Sequence, residues 1–164
     1  GHGAVPELSL LDNVVLTGDS LHRRGVVQRD DARRYTDRVI RAFDVHAEGL
    51  EAPAGSLSGG NLQRFIVGRE TLSAPRVLVV DQPTWGVDVG AAIAIRNALI
   101  ALRAGGCAIV VISEEIDELY QLCDRLMVIA KGRLSPTVGA RDISVDELGR
   151  WMAGLWPEGE ALHA

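Results

Sequence analysis

A serine followed by two glycines, at Ser58, Gly59 and Gly60, could bind a phosphate group. The three residues open a predicted helix that runs to about Leu72. The N-terminus of a helix presents unpaired N–H groups and a partial positive charge, and glycines allow a phosphate to approach the backbone closely. Taken alone, such a tripeptide is more simply a loop in which Ser58 is an ordinary helix cap.

An apolar run that ends in a carboxylate follows this predicted helix. Residues 77–80 are continuously apolar, begin 13 residues after Arg64 and lead into Asp81. Such a run predicts a strand buried on both faces, and a carboxylate at its end could hold the water shell of Mg²⁺. Two further segments complete the series, at residues 82–88 and at residues 113–115. Each segment is weak evidence alone, but their order and spacing together are strong evidence.

The elements that would position these segments alternate between strand and helix from residue 76 onward. The pattern predicts strands at 77–80, 108–112 and 125–130, a hairpin turn at Gly132, helices at 89–103 and 114–123, and a last helix after the capping box at 144–147. This alternation predicts a parallel α/β sheet. Residues 1–70 instead indicate helices and loops, including an Arg-rich helix at 30–43 whose charges most simply form a solvated face.

Composition excludes several classes of function. The chain has 164 residues, enough for one domain, and a net charge of −5, which argues against a nucleic-acid partner. Cys107 and Cys123 fit no metal or redox spacing, so both are expected to be buried free thiols. The histidines form no ligand pattern. No apolar stretch approaches the length of about 20 residues that spans a membrane, which favours a cytoplasmic protein.

In this order and spacing, the motifs resemble the ATP-binding cassette (ABC) ATPases of ABC transporters. The closer resemblance is to the second cassette of the fused double-cassette subunits that drive bacterial uptake of simple sugars and nucleosides. It covers about residues 3–154, and the segments that carry it are 5–13, 57–64, 82–91, 113–119 and 151–154. The resemblance implies an α/β cassette of the P-loop NTPase type with flanking helices and a helical subdomain.

The resemblance also implies a division of the chain and a set of partners. Residues 1–73 would be the helical subdomain ending in the signature helix, 74–156 the C-terminal part of the α/β core, and 157–164 a loose tail. ATP and Mg²⁺ would bind only in the complete protein. The partners would be a second ATP-binding cassette, transmembrane permease subunits and, indirectly, a solute-binding protein, with the protein peripheral on the inner face of the cell membrane.

In this family two cassettes enclose ATP head to tail, so that each site combines the phosphate-binding loop of one cassette with the signature of the other. The resemblance assigns nucleotide contacts to Leu57, Ser58, Gly59, Gly60, Gln63 and Asp88. Asp88 would lie in the D-loop at the interface between cassettes, and Asp81 would hold Mg²⁺ through water.

Three departures from the family pattern affect catalysis. A Walker A loop needs Gly-Lys followed by Ser or Thr, but the only lysine, Lys131, lies between Ala130 and Gly132. Gln82 occupies the position of the catalytic glutamate, and a carboxamide cannot accept a proton from water at neutral pH. Glu114 occupies the position of the switch histidine, where an anion would repel a γ-phosphate. The chain alone is therefore expected to be inactive.

These observations favour an ATPase component of a bacterial importer for a small polar solute, which contributes its signature motif to a composite ATP site. One alternative is a soluble ABC-type ATPase of translation or DNA repair, although the basic or coiled-coil insertions expected there are not seen. Another is a non-catalytic interaction module that has lost nucleotide, in which Gln82 and Glu114 are neutral drift. The intact signature argues against this second alternative.

Overall fold

A computed structural model describes residues 3–18, 21–23 and 25–157. The chain forms two compact units, residues 1–110 and residues 111–164. The subdomain boundary predicted after residue 73 lies inside the first unit and stays a prediction. Of the tail predicted at 157–164, only Pro157 is among the described residues.

Helices and short strands make up both units. The helices are α1 Leu10–Thr17, α2 Arg29–Ala42, α3 Gly59–Leu72, α4 Val89–Ala104, α5 Ile116–Leu122 and α6 Val145–Met152. The strands are β1 His22–Arg23, β2 Val26–Val27, β3 Val77–Asp81, β4 Ala108–Ile112, β5 Arg125–Leu126, β6 Ile129–Ala130, β7 Arg133–Leu134 and β8 Val138–Gly139. None of the helices in the described part of the chain is long and apolar enough to cross a membrane.

The helical part of the first unit is built around α3. Helix α2 packs against both α1 and α3, and α3 also packs against α4. Their buried faces contribute fully enclosed apolar side chains, among them Leu10, Val14, Val39 and Phe65. The predicted Arg-rich helix is α2, and its arginines form exposed ion pairs such as Arg33 with Glu51. The packing fixes α3, and therefore the predicted signature segment at its start.

Strands β3 and β4 pair with each other in the small parallel sheet. Leu78 is buried, but Val77 and Val79 are 64% and 61% exposed. The prediction that this strand is buried on both faces is therefore wrong. Side chains alternate between the two faces of a strand, and nothing among the described residues covers the face that carries the two valines.

The second unit also differs from the sequence prediction. Residues 125–130 were expected to form one strand, but they form β5 and β6, which pair antiparallel with β8 and β7. Between them, the backbone N–H of Val128 donates to the Ser135 hydroxyl at 2.9 Å instead of to a strand. The hairpin predicted at Gly132 is confirmed by the β6–β7 pairing, and Gly132 has the positive φ of 72° that such a turn requires.

The two cysteines differ in burial. Cys107 is a buried free thiol as expected, but Cys123 is only partly buried, so the expectation for that residue is wrong. Cys123 is the C-terminal cap of α5 and packs, partly buried, against the buried cluster that includes Leu126 and Trp151.

Candidate functional site

The N-terminus of α3 is open to solvent. Ser58 is its N-cap, and its hydroxyl oxygen accepts from the backbone N–H of Asn61 at 3.4 Å and from the Asn61 amide at 3.1 Å. Ser58 and Gly59 are exposed, and Gly60 is half-buried. The backbone N–H groups of both glycines donate to no residue in the described part of the chain. The helix therefore presents two unpaired donors and a partial positive charge at one exposed point.

The protein's own packing does not require the two glycines. A Cβ atom built at Gly59 would meet nothing within 4 Å, and one at Gly60 would lie 3.7 Å from the carbonyl oxygen of Gly86, an ordinary contact. Neither residue has a positive φ. Glycine is disfavoured in helices relative to alanine. The absence of side chains here leaves the backbone accessible to a ligand.

Helix α3 also holds the turn at residues 82–88 that joins β3 to α4. The Gln63 amide donates to the carbonyl oxygens of Gln82 at 3.3 Å and Pro83 at 3.0 Å. The Arg64 guanidinium donates to Asp88 at 2.7 Å. Residues 57–64 and the turn at 82–88 therefore lie side by side.

Asp88 uses its two carboxylate oxygens for different elements. Oδ1 accepts from the backbone N–H of Ala91 at 2.9 Å and caps α4, while Oδ2 accepts from Arg64. The N–H of Ala91 and then the hydrogen bond from Arg64 lower the pKa of Asp88 below its ordinary value. Asp88 is therefore an anion at neutral pH, and its side chain is 65% exposed to solvent.

Asp81 and Gln82 stand at the end of β3. Asp81 is exposed, and Gln82 is half-buried with a backbone φ of 49°, in the left-handed region. An isolated exposed carboxylate fits water-mediated contact with Mg²⁺. In the described ranges, no three His, Cys, Asp or Glu side chains are grouped so that they could hold a metal ion. An ion at Asp81 would therefore need ligands from a nucleotide or another chain.

Glu114 belongs to the second unit, unlike the other predicted site residues. Its side chain is exposed, directly after β4. The neighbouring Ser113 hydroxyl donates to Glu118 at 2.9 Å and accepts from the backbone N–H of Glu115 at 3.0 Å. The structure thus brings Leu57, Ser58, Gly59, Gly60, Gln63, Asp81, Gln82 and Asp88 into the first unit and leaves Glu114 outside it.

Sequence reasoning missed the role of Arg64 and of the loop after α2. In the sequence Arg64 is simply the last residue of the segment 57–64, and no motif marks Asp44. The two residues are 20 positions apart, and Arg64 Nη1 donates to the Asp44 carbonyl oxygen at 3.0 Å. The sequence signal for this contact is the arginine at position 64, which directly follows Gln63 in the signature segment.

Comparison with known proteins agrees with these motifs. The chain is 38% identical over 147 residues to an uncharacterized ABC transporter ATP-binding protein, YphE, of Escherichia coli. It is 33% identical over 161 residues to the ribose import ATP-binding protein RbsA 2 of Rhizobium meliloti. The alignments cover 89% and 98% of this chain. The chain belongs to the ABC transporter ATP-binding proteins.

Membership of this family is reflected in the fold as well. A solved ABC cassette, the dimeric MJ0796 in a post-hydrolysis state bound to ADP and Pi, superimposes with a TM-score of 0.70 at 21% identity, over 85% of this chain and 60% of that cassette. The ATP-binding subunit of an ABC transporter gives 0.71 at 20% identity, over 91% and 64%. These likenesses show the ABC cassette fold, which confirms the predicted fold class.

The chain spans 29% and 31% of the lengths of YphE and RbsA 2. No family model matches the chain. The family assignment therefore rests on similarity, over nearly all of this chain, to parts of individual ABC transporter ATP-binding proteins.

Proposed function

We propose that this chain is part of the ATPase component of a bacterial ABC importer, where it contributes the signature motif to a composite ATP site. The observation that carries the proposal is the exposed N-terminus of α3, with unpaired N–H groups at Gly59 and Gly60 beside the Asp88 turn. The importer's solute would be a sugar or a similar small polar molecule. Support comes from the relatives, which include ribose and glucose import ATP-binding proteins.

The chemistry of this half-site would be electrostatic. The Ser58 hydroxyl and the backbone N–H groups of Gly59 and Gly60 would donate hydrogen bonds to the γ-phosphate of ATP, whose other phosphate contacts come from the phosphate-binding loop of a second cassette. Donors that are already in place stabilise charge that develops on the transferring phosphoryl group, and loss of one donor typically costs a factor of about 10²–10³ in rate. Leu57 and Gln63 would support the helix end and the adjacent turn.

The opposite site, built on Asp81, would be a poor catalyst. ATP bound there would bring Mg²⁺, and Asp81 would hold the water shell of that ion. Gln82 cannot act as a general base, because a carboxamide does not accept a proton from water at neutral pH. We therefore assign hydrolysis to the site that this chain completes for its partner.

The proposal implies particular partners and a location. A second cassette would supply the phosphate-binding loop, permease subunits would bind the helical subdomain, and a solute-binding protein would act indirectly. The assembly would lie on the inner face of the cell membrane. A nucleic-acid partner is not part of the proposal, because the net charge of −5 argues against one.

A soluble ABC-type ATPase of translation or DNA repair and a non-catalytic interaction module remain the alternative functions. Nucleotide binding distinguishes the module from the half-site. The chain alone should bind ATP·Mg weakly or not at all, and binding should appear when a second cassette with an intact phosphate-binding loop is added. We expect the Ser58→Arg variant to weaken the binding that this chain adds. Micromolar affinity of the chain alone, or an added affinity that ignores Ser58→Arg, would contradict the proposal.

A further inference from the structure

The guanidinium of Arg64 lies between two carboxylates that belong to different loops. Nη2 donates to Asp88 Oδ2 at 2.7 Å, and Nη1 lies 3.0 Å from the carbonyl oxygen and 3.4 Å from Oδ2 of Asp44. The Arg64 side chain is only 14% exposed, whereas the side chains of Asp44 and Asp88 are 79% and 65% exposed. The arginine is therefore enclosed between loops that themselves face solvent.

Both loops are also tied to α3 by its neighbouring residues. Asn61 accepts from the backbone N–H of His46 at 3.0 Å while its amide donates to the Ser58 hydroxyl. Gln63 holds the first residues of the turn at 82–88. Arg64 is the residue whose side chain reaches both the turn and the loop at 44–46, so it closes a continuous set of contacts from Ser58 to Asp88.

The geometry favours a role in position over a role in stability. Ion pairs with exposed carboxylates contribute little to folding. The planar guanidinium instead presents its donors in fixed directions, so its contacts with Asp44 and Asp88 fix the distance between the two loops. If Asp88 moved away, it would lose its charged partner Arg64 and also the hydrogen bond by which its other oxygen caps α4.

We propose that Arg64 is a positioning residue that holds the N-terminus of α3 and the Asp88 turn as one preorganised surface for the partner's nucleotide. This inference rests on the proposed half-site. Donors that need no rearrangement lower the barrier of the chemical step, and a displacement of about 1 Å can cost a factor of about 100 in rate. Arg64 acts through Ser58 and Asp88 and touches no reacting atom.

The test uses the complete double-cassette ATPase that contains this chain. Arg64→Met should lower kcat by about tenfold or more and change KM for ATP by less than about twofold. Arg64→Lys should give an intermediate kcat, because a single ammonium group cannot hold both loops in place. Asp88→Asn keeps a good helix cap, and its loss and that of Arg64→Met should be less than additive in the double variant, because both substitutions break the same contact.

Arg33→Met is the matched control, since it removes an exposed arginine whose 2.9 Å ion pair with Glu51 lies outside this set of contacts. It should leave kcat unchanged.

Ser58→Arg, measured in the same assay, tests the half-site itself. Loss of activity in Ser58→Arg together with normal kcat in Arg64→Met overturns the positioning role alone, whereas normal activity in Ser58→Arg overturns the half-site and the inference with it. If Arg64→Met does not fold, a normal kcat in Arg64→Lys overturns the positioning role and a reduced kcat supports it.

Discussion

At the scale of one residue, Gly59 indicates a binding role, because neither the backbone conformation nor the packing requires a glycine there. Its backbone conformation suits any residue, and a Cβ atom built there would meet no other part of the protein within 4 Å. Glycine in a helix destabilises it relative to alanine. A residue that stability does not require, at the exposed start of a helix, fits a site where another molecule approaches the backbone.

We predict that Gly59→Ala separates stability from activity. The variant should unfold at the same temperature as the native chain or slightly above it, because alanine is the better helix former by up to about 1 kcal/mol. Its ATPase rate in the complete enzyme should nevertheless fall, because the new methyl group faces the phosphate. Thermal unfolding and steady-state hydrolysis measure the two effects.

Gly149→Ala is the matched control, because a Cβ there also meets nothing within 4 Å, in α6 of the second unit. It should raise stability and leave the rate unchanged. A normal rate in Gly59→Ala would contradict the role assigned to the bare backbone.

At the scale of secondary structure, the elements with local signals were the ones that the sequence predicted. Serine and aspartate caps mark the starts of α3 and α4, and a continuous apolar run marks β3. The break between β5 and β6 was missed because it depends on a bond from Val128 to a serine 7 positions away. The hairpin β1–β2 was not predicted either, since strands of 2 residues leave no period to detect.

In the candidate site too, features with local sequence signals were predicted and features that depend on distant residues were not. The order of the motifs predicted which residues would gather at the start of α3 and at the turn after β3. It did not predict the Asp44–Arg64–Asp88 contacts, because they join segments separated by 20 and 24 positions. Exposure of Val77 and Val79 was missed because an apolar run is compatible with one or two covered faces.

Helix α3 is joined to α1 and to the segment before it by the buried Arg69, which is 5% exposed. Its guanidinium donates to the carbonyl oxygens of Gly3 at 2.7 Å and Asn13 at 3.2 Å, and it pairs with Glu70. Glu70 is 37% exposed and can be solvated, so the main cost of removing Arg69 is the loss of its hydrogen bonds to the two carbonyl oxygens, about 1–3 kcal/mol. We predict that Arg69→Met lowers the free energy of unfolding by about that amount, measured by denaturant titration.

Arg41→Met provides the comparison, because Arg41 forms an ion pair with Asp37 on the surface of α2 and is 78% exposed. Its effect should stay within about 0.5 kcal/mol. Equal effects of the two substitutions would show that burial of Arg69 does not anchor the segment.

At the scale of the whole molecule, the bare face of β3 determines how the isolated chain behaves. Val77 and Val79 are more than 60% exposed on one face of the strand. Exposed apolar faces of sheets recruit other chains. We predict that the isolated chain self-associates in a concentration-dependent way, and that the double substitution Val77→Lys and Val79→Lys shifts it toward the monomer in sedimentation velocity.

Val26→Lys is the control, because Val26 is 62% exposed in β2, away from this strand. It should leave the association unchanged. A native chain that stays monomeric over the whole concentration range, or one that Val26→Lys dissociates equally well, would contradict the role of the β3 face.

The proposed division of labour concerns the complete ATPase, and one comparison of rates tests it most directly. Ser58→Arg places a bulky cation where the γ-phosphate would be bound, whereas Gln82→Ala alters only the site that already lacks a base. Steady-state hydrolysis by the complete ATPase should fall by at least about 100-fold in Ser58→Arg and stay within about twofold of the native rate in Gln82→Ala, well under 1 kcal/mol of barrier. Normal hydrolysis in Ser58→Arg, or a large loss in Gln82→Ala, would contradict the account.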